Sequence, residues 1–244
     1  MTLDTDLHER IAELHDRFVK DGSHALLVVL QGFDGAGKDH VIRQVFGAMD
    51  PAGIHVHSFN KAAGEEAEHD FLWRFHRHAP ARGWVHVFDR SYYEEVISAR
   101  VHGLVDAEEA AERCRSINDF EQILHRDGTR LMKVYLDIEK DEQAERVRER
   151  LTVRSEQAEF SAADWKDREL WDEFQRAYAD ALGATDTEIA PWHRIDADPR
   201  PEAQAEVARR LIALLESLDP QYPELDLDEV RAAGLDPDDL PPPQ

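Results

Sequence analysis

Gly32, Gly35, Gly37 and Lys38 stand within one short stretch, with Asp34 inside it and Asp39 directly after it. Glycines so placed let the backbone take positive φ and turn its N–H groups inward, and a lysine at the close of the loop can reach a β- or γ-phosphate. The spacing Gly32-x4-Gly37-Lys38 fits a phosphate-binding Walker A loop, with Gly35, Ala36 and Gly37 supplying backbone contacts. Asp39 occupies the position where serine or threonine usually ligates magnesium; a carboxylate there either meets the metal or complements the dipole of a first helical turn. A second set follows. Asp89-Arg90 closes the apolar run Trp84 to Phe88, the pattern of a Walker B site, where a carboxylate fixed at a strand end holds Mg2+ or its water. Asp89 could also serve as a helix N-cap. Phosphate binding and phosphoryl transfer are the chemistry these two sets share.

The elements that must position them follow from hydrophobic periodicity. Ala25 to Leu30 is an apolar run expected as a buried strand, and Val41, Ile42, Val45, Phe46 and Met49 mark the amphipathic helix after the loop. Leu7, Ile11, Leu14 and Phe18 share a face of a helix over residues 5–19. Ile54 to Phe59 is a second strand carrying His55 and His57 on one face; with no third ligand nearby in sequence, they read as a half-buried polar face. The loop Asn60 to Gly64 follows, at the strand end where open α/β sheets place ligands, so Lys61 is a candidate phosphate contact. Helices are expected over 65–78, 94–102 and 106–126, strands over 84–88, 131–138 and 190–196, and a closing helix over 201–218.

Residues 139–181 form a long, charged, helix-prone stretch with Arg146, Arg148, Arg150, Arg154, Phe160, Trp165, Trp171, Phe174 and Tyr178. At this place in a phosphoryl-transfer enzyme such a stretch is a lid that excludes water. Each arginine could equally belong to a solvated face paired with Glu145 and Glu149. The pattern predicts an α/β, P-loop kinase-like three-layer fold: a five-stranded parallel sheet, helices on both faces and a helical lid. Residues 1–235 are expected as one domain and 236–244, rich in Pro and Asp, as a disordered tail.

With 244 residues and 42% hydrophobic content the chain can bury one sizeable core. A formal charge of −23 argues against general binding to nucleic acid or anionic membranes, so a polyanionic substrate needs a local basic groove. The amphipathic N-terminal stretch has no signal-peptide core, and Cys114 is a lone cysteine, so a cytoplasmic protein is expected.

These residues resemble the polyphosphate kinase 2 family. The likeness rests on Gly32 to Gly53, His69 to Arg74, Phe88 to Ile97, Val101 to Leu104, Lys140 to Gln143, Ala190 to Trp192 and Leu218 to Glu224, spread over nearly the whole chain. Asp39 is what the family has after the P-loop lysine. The resemblance implies a Mg2+-dependent transfer of phosphate between inorganic polyphosphate and a nucleotide (ADP, GDP or AMP) by a homodimer or homotetramer. It also implies that Asp34 and Asp89 hold magnesium, Lys38 and Arg90 neutralise the migrating phosphoryl group, and Asp39 adds a polar contact. The chain departs from the family at Arg154 to Phe160, which reads RSEQAEF in place of a lysine- and arginine-rich stretch with a tryptophan. It departs again at Asp198 to Gln204, which lacks the expected basic and aromatic residues, and in the loop Asn60-Lys61. Arg150 and Arg154 remain as the phosphate-binding candidates of the lid. The thinned basic track keeps open a P-loop kinase with a smaller phosphate donor, and a non-catalytic polyphosphate- or nucleotide-binding member with a degenerate lid.

Overall fold

The computed structural model describes residues 3–154, 157 and 162–236. Most of the RSEQAEF segment, including Phe160, and the tail 237–244 lie outside the described residues. Strand β1 (Ala25–Gln31) is buried along its whole length, as its unbroken apolar run requires of a strand covered on both faces. It pairs in parallel with β3 (Val85–Asp89) on one side and β4 (Thr129–Asp137) on the other. β2 (Ile54–Ser58) and β5 (Trp192–Asp196) form the two edges, giving the order β2-β3-β1-β4-β5. The five-stranded parallel sheet expected from the sequence is present.

Helices cover both faces. α1 (Thr5–Asp21) and α2 (Lys38–Gln44) pack with α9 (Arg200–Ser217), and α1 buries the expected Ile11, Leu14 and Phe18. α5 (Ala107–Arg126) and the short α4 (Ser98–Val101) pack on α8 (Trp171–Thr185). The helix expected over 65–78 is instead a 3-10 turn at Gly64–Glu68 and a single α-turn, α3 (Trp73–His76), anchored by the buried Phe75. Likewise 94–102 divides into a 3-10 turn at Tyr92–Glu95 and α4. Both stretches wrap a site-bearing loop, where side-chain anchors override helical periodicity. The stretch 139–181 yields α6 (Lys140–Thr152), α7 (Ala162–Asp167), a 3-10 turn and the start of α8. Trp171, Phe174 and Tyr178 are buried, and Trp171 stacks on Phe33 with centroids 4.0 Å apart, so these aromatics are core. A short exposed helix, α10 (Leu227–Ala232), was not expected; Asp226 caps it. No helix among the described residues is long and apolar enough to cross a membrane.

Beneath the Asp89 loop lies a fully buried ion pair. Lys133 Nζ donates to Glu121 Oε2 over 2.9 Å, to the Thr185 carbonyl over 2.7 Å and to the Tyr93 hydroxyl over 3.0 Å. Glu121 Oε1 accepts from the hydroxyls of Tyr92 and Tyr93 at 2.9 and 2.8 Å. The pair therefore joins β4, α5 and the turn that follows Asp89. Removing one partner leaves a buried charge unmatched, so Lys133→Met should cost about 3–5 kcal/mol in denaturant unfolding, and adding Glu121→Leu should recover part of it. Equal stability of Lys133→Met and the parent chain would contradict that account.

The edge strand β2 also carries a histidine patch. The His57 ring lies 4.4 Å from His78, 4.9 Å from His86 and 5.9 Å from His55, centroid to centroid. Third and fourth imidazoles are thus supplied by distant sequence, yet no group of three or more potential ligands among the described residues has a geometry that could hold a metal. Burial, with His78 and His86 adding repulsion, lowers the His57 pKa from 6.5 to about 4. The unfolded chain takes up this proton first, so the stability tied to a neutral His57 is complete above 6.5 and is lost as pH falls towards about 4. Replacing His57 with Phe should flatten the melting temperature profile across that window; parallel profiles would remove His57 as its cause.

Candidate active site

The site forms where β1 and β3 lie side by side and their onward connections leave for opposite faces of the sheet, the place where an open α/β sheet leaves a crevice. Leu30 pairs with Asp89 in register, and the Arg90 N–H donates to the Leu30 carbonyl over 3.1 Å. The P-loop after β1 and the carboxylate at the end of β3 are thereby neighbours. Gly32 has φ of 149°, and a Cβ there would stand 2.6 Å from the Leu136 carbonyl oxygen, so only glycine lets the chain leave the sheet at this point. Gly37 caps α2 at φ 99°.

One cleft of about 210 Å3 is lined by Asp34, Gly35, Gly37, Lys38 and Asp39 from the loop and by Asp89 and Arg90 from the end of β3. Lys38 is 7% exposed and arches across its own loop, its Nζ donating to the carbonyls of Gly32 and Phe33 at 3.0 and 3.2 Å. Asp89 Oδ2 accepts from Ser58 Oγ over 3.2 Å, and Asp89 Oδ1 is buried with no hydrogen-bond partner. Asp89 is not the helix N-cap; that role falls to Ser91, whose side chain accepts from the Tyr93 N–H over 3.2 Å. Arg90 holds a left-handed conformation at φ 61°, a strained position for a non-glycine residue that places it on the rim of the cleft.

Two arginines of α6 reach the loop. Arg150 Nη1 donates to Asp34 Oδ2 over 2.9 Å. Arg146, 4% exposed, donates through Nη1 to the carbonyls of Gly35 and Ala36 at 3.3 and 3.2 Å and through Nη2 to those of Ala197 and Asp198 at 2.5 and 2.6 Å. The solvated-face reading is therefore wrong for Arg146; Arg148 is exposed, and Glu149 pairs with Arg200. Gln143 and Ala144 share the buried face with Arg146 and Val147, a helical spacing that could have marked the arginine as inward-facing. The Ala36 N–H donates to the Phe33 carbonyl over 3.1 Å, and Ala36 does not line the cleft. Lys61 is exposed and outside the lining, which ends at Asn60, because the chain bends outward after β2. Arg154 is exposed beyond the end of α6 and also lies outside it.

A smaller recess continues on the other side of Arg90, lined by Asp34, Glu94, Asp167 and Tyr178 among others. Glu94 lies within reach of Gln31: with the amide oriented so that its oxygen accepts from Ser91, its nitrogen donates to Glu94 Oε1 over 3.0 Å. Burial raises the Glu94 pKa, and Arg90 and Lys38 oppose the rise. Glu94 and Ser58 were missed from sequence; strand register brings Ser58 to Asp89, and the turn after β3 carries Glu94 back to Gln31 of β1.

A family model described as Polyphosphate kinase 2 (PPK2) matches residues 3–223. This chain belongs to the polyphosphate kinase 2 family. It is 40% identical over 228 residues to the ADP-polyphosphate phosphotransferase of Rhodopseudomonas palustris, a match covering 88% of this chain and 79% of that protein. The AMP/ADP-polyphosphate phosphotransferase of Meiothermus ruber is also 40% identical, over 89% of this chain and 82% of its own. The crystal structure of polyphosphate kinase 2 from Arthrobacter aurescens TC1 superposes with a TM-score of 0.89 at 40% identity, covering 94% of this chain and 83% of that one. Membership in the polyphosphate kinase 2 family accounts for the shared sheet and loop.

The Arg146 fork generates a stability prediction. Arg146→Lys keeps the charge but cannot reach four carbonyls in two directions, so the melting temperature should fall by about 4 °C or more. An unchanged melting curve would mean that the fork contributes nothing to holding the loop.

Proposed function

We propose that this chain is a Mg2+-dependent phosphotransferase that moves a phosphoryl group, reversibly, between inorganic polyphosphate and a nucleoside di- or monophosphate such as ADP, GDP or AMP. The observation that carries this reading is Asp89 in one cleft with Lys38 and the P-loop, its Oδ1 buried and unpartnered. A buried carboxylate oxygen without a donor is costly unless a cation meets it. Two carboxylates, Asp89 and Asp34, suit Mg2+, which keeps several waters and takes its remaining oxygens from phosphates. Asp89 and Asp34 would hold the ion, whose positive charge would offset that of the phosphates.

The residues of the chain do the rest. A phosphoryl group in flight is mostly charge, so the site has to position, neutralise and exclude water. The N–H groups of Gly35 and Gly37 and the Lys38 ammonium bind one phosphate arm, and Arg90 neutralises the group being transferred from the far rim. Asp39 adds a polar contact at the loop end. Arg150, held by Asp34, carries the charge of the lid to the rim. Arg146 holds the loop backbone in place while phosphates exchange.

The small number of cations lining the cleft, Lys38 and Arg90 with Arg150 at Asp34, supports a second reading in which the donor is a short polyphosphate. A series of donor lengths separates the two, since a long groove favours long chains and a short one does not. For the main reading, ATP formation from ADP and long-chain polyphosphate with Mg2+ should be observed. It should vanish in Lys38→Ala and fall about a thousandfold in Asp89→Asn with the fold retained. An undiminished rate in Asp89→Asn, or no turnover of ADP, AMP or GDP by folded protein, would overturn it.

A further inference from the structure

A second cleft, of about 660 Å3, opens at the opposite end of the sheet, where β4 and β5 begin. That volume lies within the range of small organic-ligand sites. His125 from the last turn of α5, Arg130 at the start of β4, His193 of β5 and Arg210 of α9 all face it, above the apolar side chains of Leu131 and Leu214. Among the described residues Glu188 is the only carboxylate in its lining. On a chain of net charge −23 this balance is locally inverted.

The polar groups here are incompletely satisfied. Arg130 is half-buried and has no carboxylate within ion-pairing distance among the described residues. His125 Nδ1 is buried with no hydrogen-bond partner. Arg210 is exposed and ion-paired through Nε with Glu206 over 2.7 Å, which leaves its two terminal nitrogens for a further acceptor. Burial, and then the charge of Arg210, hold the His193 pKa below its ordinary value, with Asp186 and Glu206 opposing the fall. A half-buried guanidinium without a counter-charge is costly, and an anion that enters offsets that cost.

We propose that this cleft binds a small aromatic anion, its phosphate or carboxylate group held by Arg130 and Arg210 and its flat body laid on Leu131 and Leu214. The arginine forks match either head group, and His125 supplies a further polar contact. β4 runs from this cleft to the catalytic end of the sheet over Thr129–Asp137, a span of about 26 Å at 3.3 Å per residue. A ligand here therefore does not compete with phosphates at the P-loop.

The test is an NMR titration of the histidine ring resonances of the full chain with phenyl phosphate at constant pH and ionic strength, with benzoate and inorganic phosphate in parallel. His125 and His193 should shift saturably with a millimolar or tighter dissociation constant, in the parent chain and in Lys38→Ala alike. Arg130→Gln should weaken binding about tenfold or more, and the exposed Arg210→Gln serves the same purpose if Arg130→Gln melts early. Saturation by phenyl phosphate assigns the head group as phosphate, and saturation by benzoate assigns it as carboxylate; either supports the site. The proposal is overturned by no saturable shift with either aromatic anion, by inorganic phosphate binding as tightly as phenyl phosphate, or by loss of the shifts in Lys38→Ala. Shifts that follow protein concentration without ligand would assign the cleft to a contact between copies and overturn it too.

Discussion

The approach of Gly32 to the Leu136 carbonyl is the contact on which the site depends. β1 is hydrogen-bonded on both sides and buried on both faces, so the chain that leaves it must cross the end of β4 at backbone distance. A side chain at residue 32 would push the loop away from the sheet, and with it Lys38 and the wall facing Asp89. The same crossing brings Phe33 against Trp171, Phe174 and Tyr178, so the loop is anchored by core aromatics of α8 as well as by its glycines. Phosphate-binding backbone is thus fastened to the centre of the fold.

Charge is handled by pairing each cation locally. The chain carries 52 acidic and 29 basic side chains, so a guanidinium near the site competes for many carboxylates. Arg150 is matched by Asp34, and Arg146 is satisfied chiefly by carbonyls, which lets it sit buried without drawing a carboxylate into the loop. Lys38 also rests on carbonyls. Of the three, Lys38 alone is held only by neutral acceptors, which leaves its charge available to a phosphate, whereas Arg146 also pairs through Nε with Glu142 over 2.7 Å. Lys133, fully enclosed with Glu121, does the opposite: its charge is cancelled and its three donors knit the Asp89 turn to two other elements.

The two ends of the sheet differ in construction. At the catalytic end the polar groups come from consecutive loop residues and strand ends, so local sequence is enough to gather most of them. At the other end, His125, Arg130, His193 and Arg210 come from four elements and meet only through packing. No motif spacing could have joined them.

The sequence by itself determined the strand, the glycine loop with Lys38, and the apolar strand closing on Asp89, because those features depend on neighbouring residues: backbone freedom, periodicity and the order of residue types. It also determined the parallel sheet, since strands alternating with helices leave few other arrangements. Tertiary structure decided which cations reach the site. Arg146 and Arg150 contact the P-loop and Lys61 and Arg154 do not, although all four sit in comparable charged surroundings in the sequence. It also broke the helices expected over 65–78 and 94–102 into turns, because Phe75, Tyr92 and Tyr93 had to reach the core from loops that bend around the site. The pairing of Asp89 with Leu30 on one side and Ser58 on the other required the strand order, a property of contacts distant in sequence that no local pattern encodes.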